Sequence, residues 1–266
     1  MCSSDLTNAR RIYAPAIGSI GELSTGTNTR YDSLQVAVLR RFARGFTVNA
    51  NYTWSKAIDE VTSGESFAQI SQQSPQDPFN RRADRALNSS HASHRWAGSY
   101  LYQLPVRLQN RNLQAILGGW DLGGLITIQT GSPVGILSGA DNSRTGVGFD
   151  RPNVVGNPVL PSNRTRAERI ARFFDTTAFV ANPIGTFGNA GRNPIIGTGS
   201  FVWNTSLLKN IRISEKHRLQ FRWEMFNASN TPVLSNPVGT LNSPAFGRIQ
   251  DAGPGRIQQL SLKYEF

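Results

Sequence analysis

The segment from Phe46 to Ser55 alternates without a break: Phe46, Val48, Ala50, Tyr52 and Trp54 interleave with Thr47, Asn49, Asn51, Thr53 and Ser55. A period of two is that of an extended strand, whose successive side chains point to opposite faces. The run is longer than the usual soluble strand of about five or six residues. It matches the roughly 9–11 residues with which a tilted strand crosses a bilayer. One apolar and one polar face fit a wall between lipid and a wet lumen.

The pattern recurs along the chain. Upstream, Leu34, Val36, Val38 and Phe42 oppose Ser33, Gln35, Ala37 and Arg41, and Ala43 to Gly45 turns this strand tightly into the next. Downstream, Arg95 to Leu104, Trp120 to Thr130, Phe201 to Ile211, Arg218 to Asn227 and Leu260 to Phe266 read as further strands, with Leu208 loosening the alternation of the third. In Arg218 to Asn227 the set Leu219, Phe221, Trp223 and Met225 opposes Arg218, Gln220, Arg222 and Glu224. An arginine facing lipid at the bilayer midplane costs about 2–4 kcal/mol. Gln220, Arg222 and Glu224, with Asn49 and Asn51, are therefore expected to face the lumen.

Connection lengths set the topology. Short ones (Ala43 to Gly45, Pro105 to Gly119, Ser214 to His217) alternate with long ones (56–94, 131–200, 228–255). Transmembrane barrels pair short periplasmic turns with long extracellular loops, and tryptophans and other aromatics near the strand ends fit two interfacial girdles. The fold class is all-β: an up-and-down antiparallel transmembrane β-barrel fragment of about seven strands, meandering from neighbour to neighbour. Bacterial barrels have even strand numbers and leave no open edge in lipid. The first and last strands are thus expected to be edges unpaired with each other. Residues 29–266 form the barrel segment; 1–28 read as an N-terminal remnant of a truncated chain, with 1–6 set aside as a scar unrelated to the fold.

Composition is compatible with this. Charged residues are 17%, below the roughly 25% of soluble domains. The net charge of +11 is scattered over loops and strand ends, which argues against a nucleic-acid stripe and suits anionic lipid headgroups. The one cysteine, Cys2, has no partner for an internal disulfide. No stretch reaches the length of an apolar transmembrane helix.

Several blocks resemble the C-terminal barrel of TonB-dependent receptors of the Oar-like type, outer-membrane proteins that carry a carboxypeptidase-regulatory-like domain. They are Tyr31-Asp32-Ser33-Leu34-Gln35, the run from Asp77 to Arg85 leading to His94-Arg95, Gly119 to Leu122 with Thr130 to Pro133, Phe173 to Phe179, Gly185 to Asn193, Phe226 to Asn230 and Phe246 to Ile249. The resemblance covers most of the chain after about Gly26. It implies energised uptake through a barrel of about 22 strands closed by an N-terminal plug, in the outer membrane of a Gram-negative bacterium. Outer-membrane lipid, lipopolysaccharide, the barrel-assembly machinery and, through the missing plug, TonB are the implied partners. The substrate stays open among siderophores, oligosaccharides, peptides and metal complexes. The terminal Leu262, Tyr264 and Phe266 resemble the barrel-assembly signal; a closing aromatic girdle accounts for the same residues, and both hold together. A soluble extracellular carbohydrate-binding or adhesin module and a passive porin are the competing readings.

Other constellations read as structural. His91 and His94 have metal-like spacing but lie in a polar loop without partner ligands. Asp59, Glu60 and Glu65 lack EF-hand spacing and read as a solvated loop. Ser132 sits in no nucleophile elbow. The sequons at Asn88 and Asn227 are ordinary loop sequence. No enzymatic activity, metal or cofactor is expected. Arg164 to Phe173 reads as a short basic helix within the longest loop, either binding phosphates or simply solvated with Phe173 and Phe174 against the rim. Prolines and glycines there exclude regular structure over most of 131–200, and loops of this length usually carry function.

Overall fold

The computed structural model describes residues 27–42, 45–60, 75–146, 150–214 and 217–266. Residues 1–26, 43–44, 61–74 with Glu65, 147–149 and 215–216 lie outside them. The strands are β1 Thr29–Phe42, β2 Phe46–Asp59, β3 Ala86–Leu87, β4 His94–Gln103, β5 Trp120–Gln129, β6 Pro133–Val134, β7 Asn153–Val154, β8 Phe179–Val180, β9 Ile195–Ile196, β10 Ser200–Arg212, β11 Arg218–Phe226 and β12 Ile257–Glu265. The long ones form one sheet in the order β1-β2-β4-β5-β10-β11-β12, with β3 paired to the end of β2. Every pairing in it is antiparallel. β1 and β12 are its two edges and do not pair with each other among the described residues.

Local sequence explains the ladder. β1 and β2 close through a turn in which Gly45 sits at φ +78°, a left-handed conformation that costs glycine nothing. β2 continues to Asp59 beyond the alternating core because Thr29 on β1 and Ala86 on β3 supply ladder partners there. On β5, Gly124 faces Tyr100 of β4. A Cβ on Gly124 would lie 2.5 Å from the Tyr100 ring; the missing side chain lets that ring lie flat across β5. The Tyr100 hydroxyl then reaches Thr205 Oγ1 at 3.1 Å and accepts from Trp203 Nε1 at 3.1 Å, both on β10.

Pro105 to Gly119, read from sequence as a plain short turn, instead contains helix α1, Arg111–Leu117. Asn110 caps its start, its side chain accepting from the Asn112 and Leu113 amides, which satisfies two amides the first turn leaves free.

The hydrophobic core is not in the wall. The buried apolar residues Val134, Ile136, Phe174, Ala178, Phe179, Ala190, Ile195 and Ile249 all lie outside the seven long strands. They belong to the second and third long connections, 131–200 and 228–255, which are packed rather than solvated. Two short ladders, β6 with β9 and β7 with β8, form within the longest. Phe174, Phe179 and Phe246 meet edge to face, with centroids 5.7, 5.1 and 6.2 Å apart. Such pairs add about 0.5–1.5 kcal/mol each beyond burial.

Candidate functional site

Residues directly opposite in a ladder share a face, so the register sorts the wall into two surfaces. One carries Val36, Tyr52, Trp96 and Ile128 in a continuous cross-strand row, and Leu122, Leu207, Trp223 and Leu260 in another. Apart from the carboxyl end of α1, nothing in the described chain packs a second layer over it, and Leu34, Trp54, Ile128, Leu260 and Leu262 are exposed. The opposite surface is polar. Asn49 lies between Leu39 and Ser99, and Asn51 between two alanines.

Gln220, Arg222 and Glu224 stand on that same polar face, opposite Asn210, Leu208 and Ser206. They are linked along the strand and across to β10: Gln220 Nε2 donates to Asn210 Oδ1 at 3.0 Å, Arg222 Nη2 to Gln220 Oε1 at 3.4 Å, and Arg222 pairs with Glu224 at 3.6 Å. The Asn49/Asn51 pair and this triad share the surface but not a site. Four strand spacings of about 4.8 Å place them roughly 19 Å apart along the sheet. Leu262 and Tyr264 lie on the apolar face against Phe221 and Leu219. Tyr264 stacks on His217 with its hydroxyl 2.7 Å from Nδ1, and on Phe266, which is exposed.

Over the long-connection end, the three connections are joined by polar contacts that cross large sequence separations. Arg192, from the longest, pairs with the Asp59 carboxylate at the end of β2 and donates to the Asp59 carbonyl at 2.9 Å and, through Nε, to the Asp84 carbonyl at 2.8 Å. Arg151 pairs with the Asp84 carboxylate, both buried. Gln76 donates to the Gly188 carbonyl at 3.1 Å and accepts from the Arg151 amide at 2.7 Å. The third connection joins through Thr198 Oγ1 to the Leu234 carbonyl, Asn242 Nδ2 to the Gly139 carbonyl, and the Phe173 amide to the Gly247 carbonyl, each 2.7 Å.

These contacts correct several sequence readings. Asp59 is 1% exposed rather than solvated; Glu60 accepts weakly from the Asn28 amide. His91 is buried, its Nδ1 accepting from the Ala57 amide at 3.2 Å and its Nε2 3.0 Å from Ser93 Oγ. Burial, then the nearby Lys56 charge, pushes its pKa down. His94 opens β4 and meets the Tyr52 hydroxyl at 2.8 Å, so the two histidines serve different neighbours. No group of three or more metal-capable side chains occurs among the described residues. Asn88 is buried and donates to Asp59.

The basic segment does form a helix, α2 Arg166–Ala171, closed by a Thr165/Glu168 capping box that holds the Glu168 carboxyl below its ordinary pKa. Its arginines are engaged within the chain. Arg164 donates to the Arg172 and Phe173 carbonyls, Arg166 to the Pro232 carbonyl, and Arg172 pairs with Asp175. Phe174 is not a rim residue but the centre of the loop core. The residues missed by sequence reasoning are Arg151 and Lys209. Asp84 and Arg192 were visible only as parts of resembling blocks.

A wall with an uncovered apolar face, a polar face and packed long connections is what an outer-membrane barrel requires. A family profile described as outer membrane beta barrel domain matches residues 3–259. The chain belongs to the outer membrane beta barrel domain family. Comparison with curated proteins gave no match. As an outer membrane beta barrel chain it resides in the outer membrane, and its seven long strands are the membrane-crossing elements of an all-β fold. Barrels of this class carry long connections on the outer side and short turns on the periplasmic side; here the packed long connections form a cap over one end of the wall.

Proposed function

We propose that this chain is part of the barrel wall of a TonB-dependent receptor that imports a substrate by energised uptake. Its apolar face meets lipid and its polar face lines the lumen. The observation that carries the wall reading is the apolar sheet face, which, apart from the end of α1, no other part of the described chain covers; in a soluble adhesin or carbohydrate-binding module that face would be the core. The finer reading rests on the resembling blocks, several of which build the cap: Asp84, Phe174, Phe179 and Arg192 all belong to them. In this reading Asn49, Asn51, Gln220, Arg222 and Glu224 contact the lumen contents and the cap receives substrate. Leu262, Tyr264 and Phe266 on the β12 edge present the assembly signal to the barrel-assembly machinery. The protein performs no chemistry on what it carries.

Planar-bilayer conductance of the intact receptor tests this against the passive porin. A plugged receptor stays silent until denaturant withdraws the plug, and it cross-links to TonB in energised cells. Steady conductance without denaturant, together with no TonB adduct, overturns the proposal.

A further inference from the structure

Helix α1 lies on the wrong side of the wall for an ordinary turn. Lys209 is on the apolar face, opposite Trp120 on one side and Phe221 on the other. Its ammonium group is nevertheless buried. Nζ donates to the Ile116 and Gly118 carbonyls at 2.8 and 2.7 Å and sits 4.8 Å over the Trp120 ring. Trp120 Nε1 also donates to the Ile116 carbonyl, at 3.1 Å. Trp120 and Phe221 pack edge to face at 6.1 Å. The carboxyl end of α1 is thus held against the lipid-facing surface of β5 and β10, where a lysine complements the helix dipole.

Held this way, α1 presents Leu113, Ile116 and Leu117, at helical spacing, 48%, 63% and 50% exposed, with Leu108 beside them. This stripe has no cover in the described chain and continues the apolar face of the sheet. The short-connection end that bears it is basic: Arg40, Arg41, Arg107, Arg212, Arg218 and Lys263 stand there against Asp121 and Glu265 among the described residues.

We propose that α1 is an interfacial anchor, seated at the headgroup–acyl boundary of the periplasmic leaflet and drawn there by anionic phospholipid. An amphipathic helix with an apolar stripe beside basic residues is suited to lie in that plane, and each Lys or Arg near an anionic surface adds attraction. The proposal rests on the membrane reading of the wall. Lys209 makes it specific: the lysine fixes which side of the barrel the helix takes, so the stripe enters lipid rather than lumen.

The test places a single environment-sensitive fluorophore on the full-length protein carrying Cys2→Ser, reconstituted in vesicles of phosphatidylethanolamine and phosphatidylglycerol. Probes sit at Ile116, at Ala115 on the other side of the helix, and at Val48 on the sheet. The Ile116 probe should shift to the blue, be quenched by shallow spin-labelled lipid and resist iodide several-fold better than the Ala115 probe. Replacing phosphatidylglycerol with phosphatidylcholine should weaken the lipid quenching at Ile116. Equal iodide access at Ile116 and Ala115, with Val48 still quenched by deep spin labels, overturns the anchor alone. Val48 open to iodide overturns the membrane reading beneath it. Identical quenching in both lipid mixtures overturns the anionic preference. A Lys209→Met variant should raise iodide access at Ile116 while Val48 stays protected.

Discussion

Removing the Arg192 guanidinium is expected to loosen the cap without dissolving the wall. Arg192 holds three groups at once: the Asp59 carboxylate and carbonyl on β2 and the Asp84 carbonyl. In Arg192→Ala the Asp59 carboxylate, 1% exposed, loses its cationic partner and keeps the Asn88 side-chain amide as a donor. Stripping one partner from a buried ion pair costs about 3–5 kcal/mol, mostly because the remaining charge is stranded away from water. At about 1.4 kcal/mol per tenfold, local opening should become roughly a hundred-fold to several thousand-fold more frequent. Hydrogen exchange of the detergent-solubilised protein reads this at the Asn88 and Gly197 amides, which bond to the Ala57 and Ser132 carbonyls across the affected contacts. Amides in the middle of β2 and β4 should keep their protection. The second arm neutralises the stranded charge: Arg192→Ala with Asp59→Asn should recover most of the protection, since losing both charges is far cheaper than losing one. Equal protection in wild type and Arg192→Ala, or a double variant no better than the single, refutes the reasoning.

Three further outcomes follow from the same geometry. Because burial depresses the His91 pKa from its ordinary 6.5, the folded state takes up a proton less readily than the unfolded one, so its contribution is present above about pH 6.5 and lost as pH falls below it; exchange of the Ala57 amide, corrected for intrinsic rate, should rise on acidification, and His91→Gln should remove that dependence. If the pH response survives in His91→Gln, another group causes it. Gly124→Val should push the Tyr100 ring off β5, break its contacts with Thr205 and Trp203, and cost about 1–3 kcal/mol as overpacking, read as a lower urea midpoint in micelles; an unchanged midpoint counts against the flat-ring arrangement. In plain buffer the chain should associate, because its apolar face and the β1 and β12 edges are uncovered. A monodisperse soluble monomer with a cooperative melt would contradict the wall.

The wall was readable because its information is local. Alternation marks each strand and hairpin connection fixes its neighbour, so the order from β1 to β12 follows once the strands are found. Leu208, which disturbs the alternation of β10, sits opposite Asp121 and Arg222 on the polar face, an apolar exception rather than a slip of register. The cap was not readable, since its contacts are neither periodic nor local. Asp59 meets Arg192 across 133 positions, and Phe174 of the second long connection finds Phe246 of the third. Helix α1 did leave a signal that was passed over: Asn110 as a cap, Leu113, Ile116 and Leu117 at helical spacing, and Gly118-Gly119 as a stop. The spacing of its connection to strands on either side drew attention instead. Lys209 had no sequence signature, because an isolated lysine in a strand reads as a polar-face residue until its ladder partners are known.

With the cap facing outward, as its proposed role in receiving substrate requires, the joining of three connections into one bears on how an antibody would meet it. Its outer surface brings together residues from 75–94, 131–199 and 227–256, so few stretches of that surface are continuous in sequence. Antisera raised against the folded protein should recognise assembled epitopes, lost on denaturation. Peptides copied from a single loop would lack the neighbours that hold them in shape and would make poor immunogens. Antigenic drift in one connection would likewise be checked by the other two, since a substitution must preserve contacts on the far side of the cap.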